Sequence, residues 1–517
     1  MTRKLVLTHA LVLALMCAAV VATSLARPAA HGGTGLVAVD ITDDAGTPIP
    51  CRLTFVGTHG TPNPRFTTTD IGREEANAIV AFDRAFVLPG PAEIIVPAGR
   101  YDVWISRGIE WSTAVRHIAV TRGGRIALAA RLTHELDTPG WISADFHVHA
   151  AASFDSRVPM RDRAVQFASD GVDLIVATDH NVIADYGPII DELGLEDTLH
   201  ALTGDEITTA DWGHFGAFPL PIDPSEAGGG AIPVRGRTPH DIFAAVRARA
   251  PQAIIDINHP RLEGGAMGYF HRARFDPRTL TAARPGFSTD FDAIEVLNGF
   301  QDADRRTLDA VMHDWFAFLD RGRRITATGN SDTHHLTFNL GGYPRNYVAI
   351  DDGAPIDGAT VTAALRAQRA YFTTGPIVDV RVGTVGLGGV ARAHDGKVVL
   401  HVTVRAASWI DVDALTIYQD GAIVATVPIA GAGNPRLDRD LPLTVRHDGY
   451  VVVRVAGPRP LAPIVGDDVG FRVTPIAVTN PIWLDADGDG HITPLVPMTG
   501  AQAAAAPAAG AKVGPSP

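Results

Sequence analysis

The sequence predicts an α/β protein whose central segment alternates strands with helices and lies between two β-rich segments. Three observations carry that expectation. Residues 35–138 and 376–480 consist of short runs of β-branched and aromatic residues broken by Gly, Pro and Asp. Residues 141–375 interleave short apolar runs with longer runs of helical character, the pattern of βα units around a mainly parallel sheet or barrel. Within that central segment, His, Asp and Glu gather just after the apolar runs, at the strand ends where βα folds carry their chemistry.

Taken in order, residues 1–26 read as a secretory signal peptide. Arg3 and Lys4 precede an apolar run from Leu5 to Ala22, and Ser24-Leu25-Ala26 supplies a small-x-small cleavage site. The expected location is therefore periplasmic or extracellular. No membrane attachment is expected after cleavage, since no later stretch approaches about 18 uninterrupted apolar residues. Cys51 is then the one cysteine left, which excludes an intrachain disulfide. In the first β-rich segment, 36–41, 52–55, 92–96 and 101–105 are predicted strands, with a tight turn at Pro97-Ala98-Gly99. In the central segment, strands are predicted over 142–148, 173–177, 253–257, 293–297 and 325–328. Helices are predicted over 161–169, 239–249, 302–321 and 358–370. The second β-rich segment, with strands over 397–404, 414–418 and 449–454, fits an Ig-like sandwich. Residues 481–499 form an Asp/Gly-rich turn segment, and 500–517, rich in Ala, Gly and Pro, read as a disordered tail.

Composition narrows the function. With 517 residues the chain has room for about three domains. Its 46% hydrophobic and 20% charged residues exclude a wholly disordered chain. Its 44 basic against 57 acidic residues leave a net charge of −13, without the basic footprint expected of a binder of nucleic-acid polymers.

The chemistry lies in five separate segments. Asp145-Phe146-His147-Val148-His149 puts two imidazoles at i and i+2, on one face of a strand. Asp155 follows in a loop. An apolar run then ends in Thr178-Asp179-His180-Asn181, and Gly204-Asp205-Glu206 precedes His214. Asn258-His259-Pro260 and Ser331-Asp332-Thr333-His334 each end a further strand. Buried imidazoles and carboxylates are costly unless paired or bound to metal, so five repeats of the arrangement point to cations. A His/carboxylate donor set without cysteine suits zinc, manganese or iron.

In this order these motifs resemble the PHP (polymerase and histidinol phosphatase) superfamily. The extended forms around Asp145, Glu206 and Gly342-Tyr343-Pro344-Arg345 look like its exported, carbaryl-hydrolase-like metallohydrolase branch. The resemblance covers residues 141–375; the segment 35–138 resembles the small carboxypeptidase-regulatory β-sandwich. The PHP resemblance implies a distorted (β/α)7 TIM-like barrel, here flanked by N- and C-terminal β-sandwiches, holding two or three divalent cations. It implies one ion on His147, His149, Glu206 and Asp332, a second sharing Glu206 with His214 and His259, and a third on Asp155, His180 and His334. A pair of such cations would acidify a shared water toward neutrality. Glu206, Asp332, Arg345 and Arg261 are the expected catalytic residues, the two arginines, with Arg157, lying near the motifs where they could clamp an anionic group. Asp179 and His335 are expected beside the ligands, and Asp302, His313 and Asp314 on a solvated helix face.

The leading expectation is a phosphomonoester or phosphodiester hydrolase acting on a small, anionic substrate. Ester or carbamate hydrolysis on the same metals is the alternative. A binding protein that uses the metals structurally is the third. Separately, Asp485-Ala486-Asp487-Gly488-Asp489-Gly490 reads either as the first half of a calcium loop or as an Asp/Gly-rich turn. Its twelfth position is Val496 rather than Glu.

Overall fold

A computed structural model describes residues 33–262, 268–299, 305–466 and 471–498. The signal peptide, the 500–517 tail and Asp302 lie outside the described residues. The chain is mixed α/β, with many strands and few helices. Among the described residues no helix is long and apolar enough to cross a membrane.

The first β-rich segment folds as two sheets. Thr34–Thr42 lies between Ala92–Pro97 and Arg125–Arg131, and Cys51–Gly57 is central to a sheet of six. Alternation along Thr34–Thr42 sends Val37, Val39 and Ile41 inward. There they share one apolar cluster with Leu53, Phe55 and Val103 of the other sheet.

The central segment builds two arcs. In the first, Trp141–Val148 pairs in parallel with Leu174–Ala177, which pairs in parallel with His200–Thr203. In the second, Asp205–Thr208 and His214–Phe218 form a hairpin. Ile254–Ile257, Ala293–Asn298 and Thr326–Asn330 extend it. Two isolated bridges join the arcs, His180 to Glu206 on one side and Val148 to Thr333 on the other. Both fall among the predicted ligands, so the arcs meet where the site lies. Helices Met160–Ser169 and Pro239–Arg249 cover the strands as expected. The second starts on a reciprocal cap between Thr238 and Asp241 with proline in the first turn. Strict βα alternation fails at Asp205–Phe218, where a hairpin replaces a helix. The expected helix over 302–321 spans Arg305–Leu319 among the described residues.

The change of pattern at 375/376 is not a break in the sheet. Trp141–Val148 pairs with Arg345–Ala349, then follow Ala370–Thr373, Ile476–Thr479, Gly449–Ala456, Ala414–Gln419 and Ala422–Pro428. A second sheet of Ile377–Val382, Lys397–Arg405 and Leu437–Thr444 packs near it, and Val402 and Val453 share one core. The N-terminal segment is docked by charge as well. Arg52 and Asp170, both fully buried, lie 2.6 Å apart, and Arg52 also donates to Ile464 O at 2.9 Å. One guanidinium thus ties the three parts of the chain together.

Candidate metal centre

Glu206 is the hub of the site. It lies within Asp205–Thr208, the edge strand of the second arc, and is fully buried. Five imidazoles surround its carboxylate. His147 Nε2 lies 3.0 Å from it, His180 Nδ1 2.7 Å, His214 Nδ1 3.2 Å, His259 Nε2 3.3 Å and His149 Nε2 3.6 Å. Asp332 is the second centre, with His147 Nε2 and His149 Nε2 each 3.2 Å from its Oδ1. Asp155 is the third, 3.0 Å from His180 Nε2 and 3.3 Å from His334 Nε2. The imidazoles crowd one another, and the rings of His149 and His334 stack with centroids 4.0 Å apart.

All nine predicted ligands therefore converge. Their grouping differs in detail from the expected one. His149, Asp155, His180 and His334 form one set able to hold an ion, and His147, His149 and Asp332 another. Glu206 then groups with His147 and His259 on one side and with His180 and His214 on the other, rather than with His214 and His259 together. The fit to cations rests on orphaned atoms. His259 Nδ1 is buried without a hydrogen-bond partner, and His149 Nε2 and Glu206 Oε2, although 3.2 Å from Asp332 and 2.7 Å from His180, make no aligned hydrogen bond, a costly state that a bound ion would relieve. Nitrogen and carboxylate donors without sulfur suit zinc, manganese or iron.

The electrostatics agree. Burial alone would raise the Glu206 carboxyl, but the imidazoles of His214, His147 and His180 hold it well below the usual carboxylate range. Burial opposes protonation of His147, yet Asp332, Glu206 and Glu295 push it well above its ordinary value. His180, desolvated but flanked by Glu206 and Asp155, is raised to about 10. His149 goes the other way, down to about 3, through burial and the neighbouring His334. It offers a neutral lone pair, whereas His147 and His180 must give up protons to bind a cation. Metal affinity is therefore expected to rise with pH through neutrality. Titrations in two buffers of different protonation enthalpy should show proton release on uptake, and uptake without it would contradict this charge pattern.

Several residues hold the ligands in place. Ser153 Oγ lies 2.8 Å from His149 Nδ1, and Asn258 Nδ2 donates to Glu206 Oε1 at 2.9 Å. Asn298 Nδ2 donates to Asp332 Oδ2 at 3.0 Å. Asp179 accepts from Ala150 N and Ser153 N, and so supports the site without joining a ligand group. Glu295 was not foreseen. Its Oε1 lies 3.0 Å from His147 Nδ1 and its Oε2 accepts from His259 N at 2.6 Å. The available signal was a lone acid inside the apolar strand Ala293–Asn298. His259 and Asp332 adopt left-handed backbone, φ +30° and +52°, a sparsely populated region for such side chains.

Three expectations are corrected. Arg345 does not face the site. It is fully buried and donates to the carbonyls of Gly342, Gly171 and Asp170. Arg261 is engaged by Asp314, with Nε and Nη2 at 2.6 and 2.9 Å from its two oxygens. Asp314 is accordingly buried rather than solvated. His313 is exposed as expected, and Arg157 is exposed on the loop that carries Asp155. At the C-terminal end, Asp485 and Asp487 group with Asp448, which no local motif announced. Asp489 is outside that group and accepts from His491 N at 2.7 Å. Asp485 accepts from Gly488 N and Gly490 N, the work of an Asp/Gly turn.

No family model matches the chain, and no curated protein matches it. Two of the solved structures similar to this chain are the following. One is a two-domain protein from Bacteroides vulgatus containing a predicted PHP-like metal-dependent phosphoesterase. It is 19% identical over 66% of this chain and 96% of its own, with a TM-score of 0.36. The other is Endonuclease Q in complex with a 27-mer duplex carrying an abasic lesion. It is 14% identical over 44% of this chain and 56% of its own, with a TM-score of 0.30.

Proposed function

We propose that this chain is a metal-dependent hydrolase of the PHP type, exported by its N-terminal signal. Its two central arcs would form the distorted barrel of that fold. The observation that supports this most is the buried Glu206 carboxylate ringed by five imidazoles, within a set of nine ligand-competent side chains. Such a cluster is hard to justify as core packing, because it leaves ring nitrogens and a carboxylate oxygen buried without an aligned hydrogen bond.

Divalent cations bound there would supply Lewis acidity and lower the pKa of a water toward neutrality. The chain does the rest. His147, His149 and Asp332 would hold one ion, with Glu206 beside them, and Asp155, His180 and His334, with His149, another. Glu206 would also reach His259 and His214. Asn258 fixes Glu206, and Glu295 fixes the ring of His147. Burial of nearly all these groups keeps bulk water from competing. No side-chain nucleophile is required.

The leading substrate class is a small phosphoester, as the motif resemblance implies. One observation favours the second reading, a carboxyl ester or carbamate. Two of the three expected anion clamps, Arg345 and Arg261, are engaged elsewhere, whereas the 78% exposed ring of Phe154 stacks on His180. A panel of nitrophenyl phosphate, bis-nitrophenyl phosphate and naphthyl carbamate on metal-loaded protein separates the two. Turnover of a phosphate is expected. Turnover of the carbamate alone would move the assignment to the second reading, and turnover of none would count against a hydrolase.

A further inference from the structure

The loop 331–340 carries two of the candidate ligands, Asp332 and His334, and it is gripped from two sides. On its inner side Arg163 Nη1 donates to Thr333 Oγ1 at 3.0 Å and to His335 O at 2.9 Å, and Gln166 Nε2 donates to Leu336 O at 3.0 Å. On its outer side the contacts come from the β-rich segments. His335 Nδ1 lies 2.9 Å from Asp70 Oδ2. Arg84 donates to Thr337 O at 3.4 Å and to Gly466 O at 3.2 Å. Phe338 meets Phe471 edge-on at 4.9 Å. Leu336 and Leu340 belong to one apolar cluster with Ile79 and Phe86 of the N-terminal segment and Val465 near the C-terminus.

We propose that the N-terminal β-rich segment is a working part of the metal centre. Asp70, acting through His335, is a positioning residue that sets the cation affinity of the group formed by His149, Asp155, His180 and His334. This rests on reading that group as a cation site. Two observations separate the contact from simple docking. Docking is already carried by the fully buried Arg52–Asp170 pair. The Asp70–His335 pair is partly exposed, 25% and 35%, and such pairs add little to folding stability. Its position is what distinguishes it. It fixes the residue next to His334 in a loop whose ligands must be held closely to bind an ion; direct hydrogen-bond partners of ligands commonly change metal affinity about 10- to 100-fold, and this contact, one residue removed, is expected at the lower end of that range.

The test is a calorimetric titration of the full-length, metal-stripped protein with Mn2+ or Zn2+, alongside metal analysis after dialysis. Wild type, Asp70→Ala, Asp70→Asn and His335→Ala are compared. Asp70→Ala is expected to weaken one class of site by about tenfold or more and leave the others and the metal-free melting temperature unchanged. Asp70→Asn should recover part of the loss, because its amide oxygen can still accept from His335. His335→Ala should match Asp70→Ala, and the double variant should be no worse. Wild-type affinities at every site in Asp70→Ala would overturn this proposal alone, as would an equal loss at all sites with a lowered melting temperature. Wild-type protein that takes up no cation would overturn it together with the metal reading.

Discussion

Glu206→Ala is expected to lose about a thousandfold or more in turnover and to retain fewer cations than the wild type. The carboxylate contacts five imidazoles and belongs to two of the ligand groups, so no neighbour can replace it. Removing Lewis-acid stabilisation worth several kcal/mol corresponds to a loss of that order, at about 1.4 kcal/mol per decade. Glu206→Gln should fail almost as badly, because a neutral amide cannot balance the charge of the ions. Steady-state rates and metal content of the purified variants check both. A Glu206→Ala protein with more than a tenth of wild-type turnover and full metal content would show that the cluster is not the centre of the chemistry.

The second large effect is on stability. Arg52→Ala leaves Asp170 fully buried beside an empty space, with Ile464 O losing its donor. Breaking one side of a buried ion pair costs about 3–5 kcal/mol. Desolvation already raises the Asp170 carboxyl, and Arg52 is the first group that holds it down. The variant is therefore expected to melt well below the wild type. A paired replacement, Arg52→Met with Asp170→Leu, should recover much of the loss, since apolar groups of similar volume remove both charges together. An unchanged melting temperature in Arg52→Ala would mean that the segments dock independently of this pair.

Much of the site was legible because strand geometry turns spacing into direction. His147 and His149 at i and i+2 had to share a face, and Glu206, His259 and Asp332 each sit where an apolar run stops. The arginines were not legible. Sequence placed Arg345 and Arg261 beside ligand motifs but could not say which way each side chain turns. Arg345 opens a strand and packs back onto the carbonyls of Asp170 and Gly171, and Arg261 reaches across to a helix. Asp314 was misread for the matching reason, since a helical acid looks solvated until its distant partner is known. The hairpin at Asp205–Phe218 was hidden because its first strand, Asp205-Glu206-Ile207-Thr208, holds one apolar residue and so gives no strand signal. The continuity of the main sheet across residue 375 depends on Ala370–Thr373 meeting Ile476–Thr479, a pairing between distant segments that no local pattern reports.

The most direct test is anomalous diffraction from crystals grown with Mn2+ or Zn2+ at neutral pH. Peaks are expected among His147, His149, Glu206 and Asp332 and among His149, Asp155, His180 and His334, with Glu206 close to at least one. Crystals showing no anomalous density in this cage, or density only at exposed carboxylates elsewhere, would contradict the account.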